Sequence, residues 1–241
     1  MIFYHPPKRG IFLCKNREGA IGRWPIITLT AIVFLFLWAS TSLAQKEGEA
    51  IFKAKGCGSC HSISPPKFGS IEEKMKEKGP NLSYAGSKYR EEWLKKWLAK
   101  PENIHYTKYN TLSLKPDKHV GISEKEADEV AKYLSALKDA KVVSGAVSSG
   151  GLKGGEKVKA KTLFDKKKAC YACHTVKTQA GKLIGGRSGP DLSMAGERLN
   201  GDWVYSYLKA PDHFEPKGRS PVFALSDGDA KILAAYVVSF K

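Results

Sequence analysis

Cys57-Gly58-Ser59-Cys60-His61 recurs 113 residues further on as Cys170-Tyr171-Ala172-Cys173-His174. Two thiols three positions apart can add to the two vinyl groups of one porphyrin, and the adjacent histidine is then held under the iron. The pattern reads as a c-type haem attachment site, present twice. The competing readings are half of a zinc site, one zinc site shared by four cysteines, or a dithiol redox pair. A histidine follows the second cysteine both times, which favours haem. The candidate tethers are Cys57, Cys60, Cys170 and Cys173, the candidate proximal ligands are His61 and His174, and the expected cofactors are two covalently attached haem c.

The motifs sit inside a longer repeat. Gly79-Pro80-Asn81-Leu82-Ser83 matches Gly189-Pro190-Asp191-Leu192-Ser193, and Ala85-Gly86, Trp93, Leu98 and Pro101 match Ala195-Gly196, Trp203, Leu208 and Pro211, all at an offset of 110. Ile122-Ser123 matches Leu225-Ser226 at an offset of 103, so the first half carries seven more residues before its end. A fixed offset over this length marks a duplicated unit. Between the halves Val142-Val143-Ser144-Gly145-Ala146-Val147-Ser148-Ser149-Gly150-Gly151 reads as a flexible linker. The expected division is residues 1–44 as a leader, 45–140 as a first domain, 141–155 as the linker and 156–241 as a second domain.

Each half reads as helical. A short helix with an inward aromatic, Phe52 or Phe164, leads into the motif. Trp93, Leu94, Trp97 and Leu98 recur at helical spacing, as do Trp203, Val204, Tyr207 and Leu208. Ser123 with Glu126 forms a capping box for a last helix carrying Val130, Tyr133, Leu134 and Leu137, and Ser226 caps its counterpart. No strong alternating strand pattern is present. The aromatic faces read as packing around the macrocycle rather than as dedicated electron-hopping sites.

Lys8, Arg9, Lys15, Arg17 and Arg23 precede an apolar run from Pro25 to Trp38, and Ser42-Leu43-Ala44 supplies small residues where a leader peptidase cuts. The run is short for a membrane span of roughly 20 residues. The expectation is an export signal cleaved after Ala44, with an uncleaved membrane anchor as the alternative. Of five cysteines four belong to the motifs and the fifth, Cys14, lies in this leader, so no thiol is left for a disulfide. The chain has a formal charge of +16, and the leader's five basic residues and one acidic residue account for +4 of it, leaving +12. A basic exported carrier points to acidic redox proteins, a membrane respiratory complex or an anionic membrane surface, although scattered lysines also serve solubility. Nucleic acid is a poor fit to an exported haem protein.

Taken together, the CxxCH motifs, the Gly-Pro-x-Leu segments and the terminal helices Ala127–Leu137 and Ala230–Val238 resemble the tandem dihaem class I cytochromes c. The resemblance covers residues 45–241. It implies an all-α fold of two small haem domains in tandem, joined by a Gly/Ser linker, and single-electron transfer among extracytoplasmic partners. It also places Pro80 and Pro190 on the proximal side, near His61 and His174. The family normally supplies a distal methionine shortly before the last helix. Here Ser220 stands at that place in the second half and Asn110 in the first. Three arrangements remain open. Another histidine could ligate, with His105 and His119 available in the first half and His213 in the second. One or both irons could be open beside Asn110 or Ser220, giving an enzyme or small-ligand sensor. Met75 or Met194 could serve. His119, beside Lys118 in the seven-residue insertion, reads better as an ordinary loop residue.

Overall fold

Both halves build their core on the same frame, and the repeat explains why. The computed structural model describes residues 45–111 and 113–241. The expected leader, residues 1–44 with Cys14, and Leu112 lie outside the described residues. In the first half α1 runs over residues 45–54, the motif forms a 3-10 turn, and α2 (Ile71–Met75), α3 (Ala85–Lys88), α4 (Glu91–Ala99) and α5 (Glu124–Ala136) follow. In the second half α6 (Gly154–Thr162) passes through a π-turn into the motif. A hairpin of β1 (Thr175–Lys177) and β2 (Leu183–Gly185) precedes α7 (Ala195–Arg198), α8 (Gly201–Lys209), α9 (Pro211–Phe214) and α10 (Asp227–Val237). Among the described residues no helix is long and apolar enough to cross a membrane.

The terminal helices start where the capping signals place them. Glu126 N–H donates to Ser123 Oγ while Ser123 N–H donates to Glu126 Oε2 at 3.1 Å. Ser226 Oγ accepts from Asp229 N–H at 3.1 Å. Each cap satisfies orphan donors of the first turn. The buried faces then match position by position at an offset of 103: Ala127 with Ala230, Val130 with Leu233, Ala131 with Ala234 and Tyr133 with Tyr236. They close over Leu82, Ala85 and Leu94 in one domain and Leu192, Ala195 and Val204 in the other. The helix before each motif contributes Phe52 or Phe164, both buried.

Two glycines let the layers meet. A Cβ on Gly86 would lie 2.0 Å from Ser135 O, and one on Gly196 would lie 2.1 Å from Val238 O. The close approach brings Gly86 N–H to Leu137 O at 2.9 Å and Gly196 N–H to Phe240 O at 2.8 Å. These hydrogen bonds clamp α3 and α7 to the ends of α5 and α10.

The domains meet through repeat equivalents. Tyr89 and Leu199 form an isolated antiparallel bridge. Arg90 N–H donates to Arg198 O and Asn200 N–H donates to Lys88 O, both at 2.9 Å. Each of these bonds is the image of the other at the offset of 110, so the contact is locally two-fold, like an isologous dimer interface. Asn200 Nδ2 also donates to Ser87 O and Tyr89 O, and Tyr84 O–H donates to Phe214 O.

Two features depart from the sequence expectations. The Gly/Ser segment is fastened to α8 rather than free: Val143 N–H donates to Ser206 Oγ, and Gly145 and Val147 N–H donate to Asp202. Its small residues allow the backbone to lie against the helix, and Gly154 and Gly155 already belong to α6. The β1–β2 hairpin was not anticipated. Its three-residue strands are too short to show a period, and the turn is set by Gly181 at φ 77°.

Candidate functional site

Each motif is one tight turn, Cys57–Ser59 or Cys170–Ala172, entered through a left-handed residue, Gly56 (φ 68°) or Ala169 (φ 48°). The N–H of His61 donates to Cys57 O and that of His174 to Cys170 O, at 3.0 and 3.1 Å. The turn thereby folds the histidine back beside both cysteines. Cys60 and Cys173 are exposed and Cys57 and Cys170 half-buried, and none of the four is in a disulfide. Burial pushes the Cys57 thiol up and the Cys170 thiol to about 11, so both are protonated at neutral pH.

The segment after each motif orients the ring. His61 Nδ1 lies 2.8 Å from Pro80 O, and His174 Nδ1 lies 2.8 Å from Pro190 O. A carbonyl only accepts, so Nδ1 carries the proton and Nε2 keeps its lone pair. Burial holds both rings below the ordinary histidine range, which keeps them neutral. The preceding glycine presses on the ring: a Cβ on Gly79 would lie 2.6 Å from His61 Cε1, and one on Gly189 2.7 Å from His174 Cε1.

This donor set fits a haem. Two adjacent thiols and one neutral imidazole with its Nε2 free are what covalent attachment and proximal ligation need. It does not suit a bare ion, since among the described residues no three His, Cys, Asp or Glu side chains converge as a metal site.

The other candidates scatter. Asn110 sits at φ 56° and donates its amide to Lys74 O at 2.8 Å and Glu77 O at 3.2 Å. It closes the end of α2, and the offset of 110 that set it opposite Ser220 carries past the point where the two halves diverge. His213 Nε2 pairs with Asp139 Oδ2 of the other domain at 2.8 Å, so the ring is committed to an interdomain contact. Met75 is exposed on α2, and Met194 is exposed with its sulfur 3.6 Å from Lys177 Nζ. Ser220 is half-buried beside Tyr207, a half-buried tyrosine whose hydroxyl points to Glu215 Oε2 at 3.4 Å. Burial, followed by Glu215, pushes that hydroxyl above the usual range.

His105 stands edge-on to Tyr109, and burial, with the positive Lys88 and Arg198 nearby, pulls it down to about 4. It is therefore neutral near the domain contact. His119 is the one that approaches a proximal histidine. Its ring centroid lies 6.0 Å from that of His61, tilted by 42°, and 4.6 Å from Trp97. Sequence reasoning named His119 as a candidate but set it aside as a loop residue, and it did not foresee the stack of Tyr89, Trp93 and Trp97 that runs from the domain contact to His119 at 5.3 and 5.6 Å.

A family model described as cytochrome c matches residues 45–138 and again residues 158–241. No curated protein and no solved structure matches the chain.

Proposed function

The chain belongs to the cytochrome c family, and on that footing we propose that it is an extracytoplasmic carrier passing single electrons between redox partners of a respiratory chain. Its two domains carry two covalently bound haem c groups, one in each. When bound, each haem supplies a one-electron couple whose potential follows axial ligand, burial and nearby charge.

The observation that carries the reading is the duplicated turn, with its histidine tied at Nδ1 to a proline carbonyl in both halves. Cys57 and Cys60 tether one group, Cys170 and Cys173 the other, with His61 and His174 as proximal ligands. Pro80 and Pro190 act as positioning residues. By accepting the Nδ1 proton they fix the tautomer and raise the basicity of Nε2. Export by the leader agrees with covalent attachment and with the extracytoplasmic setting typical of cytochrome c domains. The exposed Lys166 and Lys167, just before the second motif, make no ion pair among the described residues. They are suited to steering an acidic partner toward that haem.

A second reading applies to the second domain alone. Its stretch before the last helix offers Ser220, Glu215 and Tyr207 but no methionine, and His213 is engaged elsewhere. Such a polar surround suits an open site for a small oxidant or ligand.

The test is a redox titration of the holoprotein with covalent haem measured on the same sample. Two haems per chain are expected, each titrating reversibly by one electron, with exchange to an acidic redox protein slowing as salt is added. Exchange indifferent to salt would remove the acidic partner from the proposal. Peroxide turnover faster than electron exchange would replace the carrier by the open-site reading.

A further inference from the structure

We infer that His119 is the second axial ligand of the first haem, opposite His61, and that the two irons of this chain are therefore ligated differently. The inference rests on the carrier reading above and adds the ligand that no sequence alignment at the offset of 110 supplies.

The geometry is that of two imidazoles sharing one metal. A metal–imidazole bond is about 2.0 Å, and the ring centre lies roughly 1 Å beyond the ligating nitrogen, so two rings on opposite sides of one metal have centres on the order of 6 Å apart. The His61 and His119 centroids are 6.0 Å apart. An ordinary aromatic contact covers the same range, so the distance alone does not decide.

The hydrogen bonding points the same way. His119 Nδ1 is 2.9 Å from Val120 O, as His61 Nδ1 is 2.8 Å from Pro80 O. Both rings thus keep their proton on Nδ1 and present a lone pair at Nε2. Neither Nε2 takes part in a hydrogen bond among the described residues. Two unengaged lone pairs on neighbouring rings do not bond to each other, whereas one iron satisfies both. His119 is also held in place. Trp97 packs against it with centroids 4.6 Å apart and is itself pinned by its Nε1–H to Glu102 O at 2.8 Å.

The repeat makes the asymmetry explicit. Counted back from the last helix at the offset of 103, His119 falls opposite Val222, and Trp97 corresponds to Tyr207 at the offset of 110. The second domain has no histidine at the matching place, and its His213 is bound to Asp139.

The experiment uses the full holoprotein. The oxidised chain and its His119→Ala, His119→Met and His213→Ala variants are compared by electron paramagnetic resonance, near-infrared magnetic circular dichroism and carbon monoxide binding after reduction. In the unaltered protein a bis-imidazole charge-transfer band is expected from one haem. His119→Ala should turn one haem high-spin and open to carbon monoxide, and added imidazole should restore it. His119→Met should replace the bis-imidazole band by a thioether band and raise the potential of that haem. His213→Ala should change neither. Absence of the bis-imidazole band in the unaltered protein, or spectra of His119→Met identical to the unaltered ones, would overturn the assignment. Both outcomes leave haem content at two per chain, whereas loss of covalent haem from the unaltered protein would strike the carrier reading instead.

Discussion

Replacing Gly79 by alanine tests whether the loop after the first motif seats the proximal ring. The added Cβ would meet His61 Cε1 at 2.6 Å, Nδ1 at 2.9 Å and Cys60 O at 3.2 Å. The first two are closer than real Cβ contacts come, and the ring is tied by its covalently anchored turn and by the bond to Pro80 O. Something must give. Overpacking a tight site costs about 1–3 kcal/mol, and losing the net value of the Nδ1 hydrogen bond costs about 0.5–1.5 kcal/mol. The sum, about 1.5–4.5 kcal/mol, should fall on the first domain.

Guanidinium unfolding of the holoprotein, followed at the Soret band, reads the stability. A redox titration of the same sample reads the ligand. Weakening the bond to Pro80 O lowers the basicity of His61 Nε2, so the potential of the first haem should rise. Gly189→Ala, with contacts of 2.7 and 2.8 Å to His174, should do the same to the second haem. Gly58→Ala is the control, because its nearest neighbour is Phe52 Cε1 at 3.9 Å, and it should stay within about 0.5 kcal/mol. A Gly79→Ala protein as stable as the control, with both potentials unmoved, would refute the claim that this glycine seats the ring.

Three further outcomes are expected. Gly86→Ala drives a methyl into Ser135 O at 2.0 Å, backbone against backbone; it should cost about 3 kcal/mol or more, visible as a lost yield of folded first domain. Asn200→Ala removes two interdomain hydrogen bonds, to Ser87 O and Tyr89 O; with part-buried acceptors left unpaired, about 1–3 kcal/mol of domain coupling should go, and calorimetry should show one transition splitting into two. Lys55 and the Ser123 cap hold the Glu126 carboxyl down at about 2 from an ordinary 4.5. A depressed carboxylate stabilises the fold fully above its unfolded value and loses that contribution as pH falls toward the folded one. Glu126→Gln should therefore be less stable than the parent at pH 7, with the gap closing between about pH 4.5 and pH 2 in acid titrations.

The duplicated frame was legible because its determinants are local or periodic. The CxxCH turns, the capping pair Ser123 and Glu126, and the Ala127/Ala230 series all announce themselves along the chain. The contact between domains was not, since Tyr89 and Leu199 meet through backbone groups that any residues would supply. Nor was the fastening of the Gly/Ser segment, which depends on Asp202 and Ser206 more than fifty residues away. His119 was among the candidate ligands but was discounted as a loop residue, for a more instructive reason. The offset of 110, extended past Pro101, places Asn110 opposite Ser220, but the seven extra residues fall in this stretch and break the correspondence. Counting back from the terminal helix, whose register is fixed by burial, brings His119 to within two positions of the place of Ser220.

The stretch between the middle and last helices can change its ligand because its length is loosely constrained, even though Phe214 and Leu225 anchor it in the second core. It spans residues 100–123 in the first domain and residues 210–226 in the second. Lengthening a closed loop by that ratio costs only about 0.3 kcal/mol by the logarithmic rule. Leu114 and Val120 in it are exposed, so the insertion adds no core that must be repacked. The proximal side has no such freedom. Gly79, Pro80 and the clamp at Gly86 are each in contact with backbone or with the ligand ring, and Gly189, Pro190 and Gly196 repeat them. A duplicated chain under these constraints keeps its proximal halves alike and lets its distal halves diverge. Two haems of unequal potential then need no change in either core. It suffices that His119 approaches one ring while His213 is turned to Asp139.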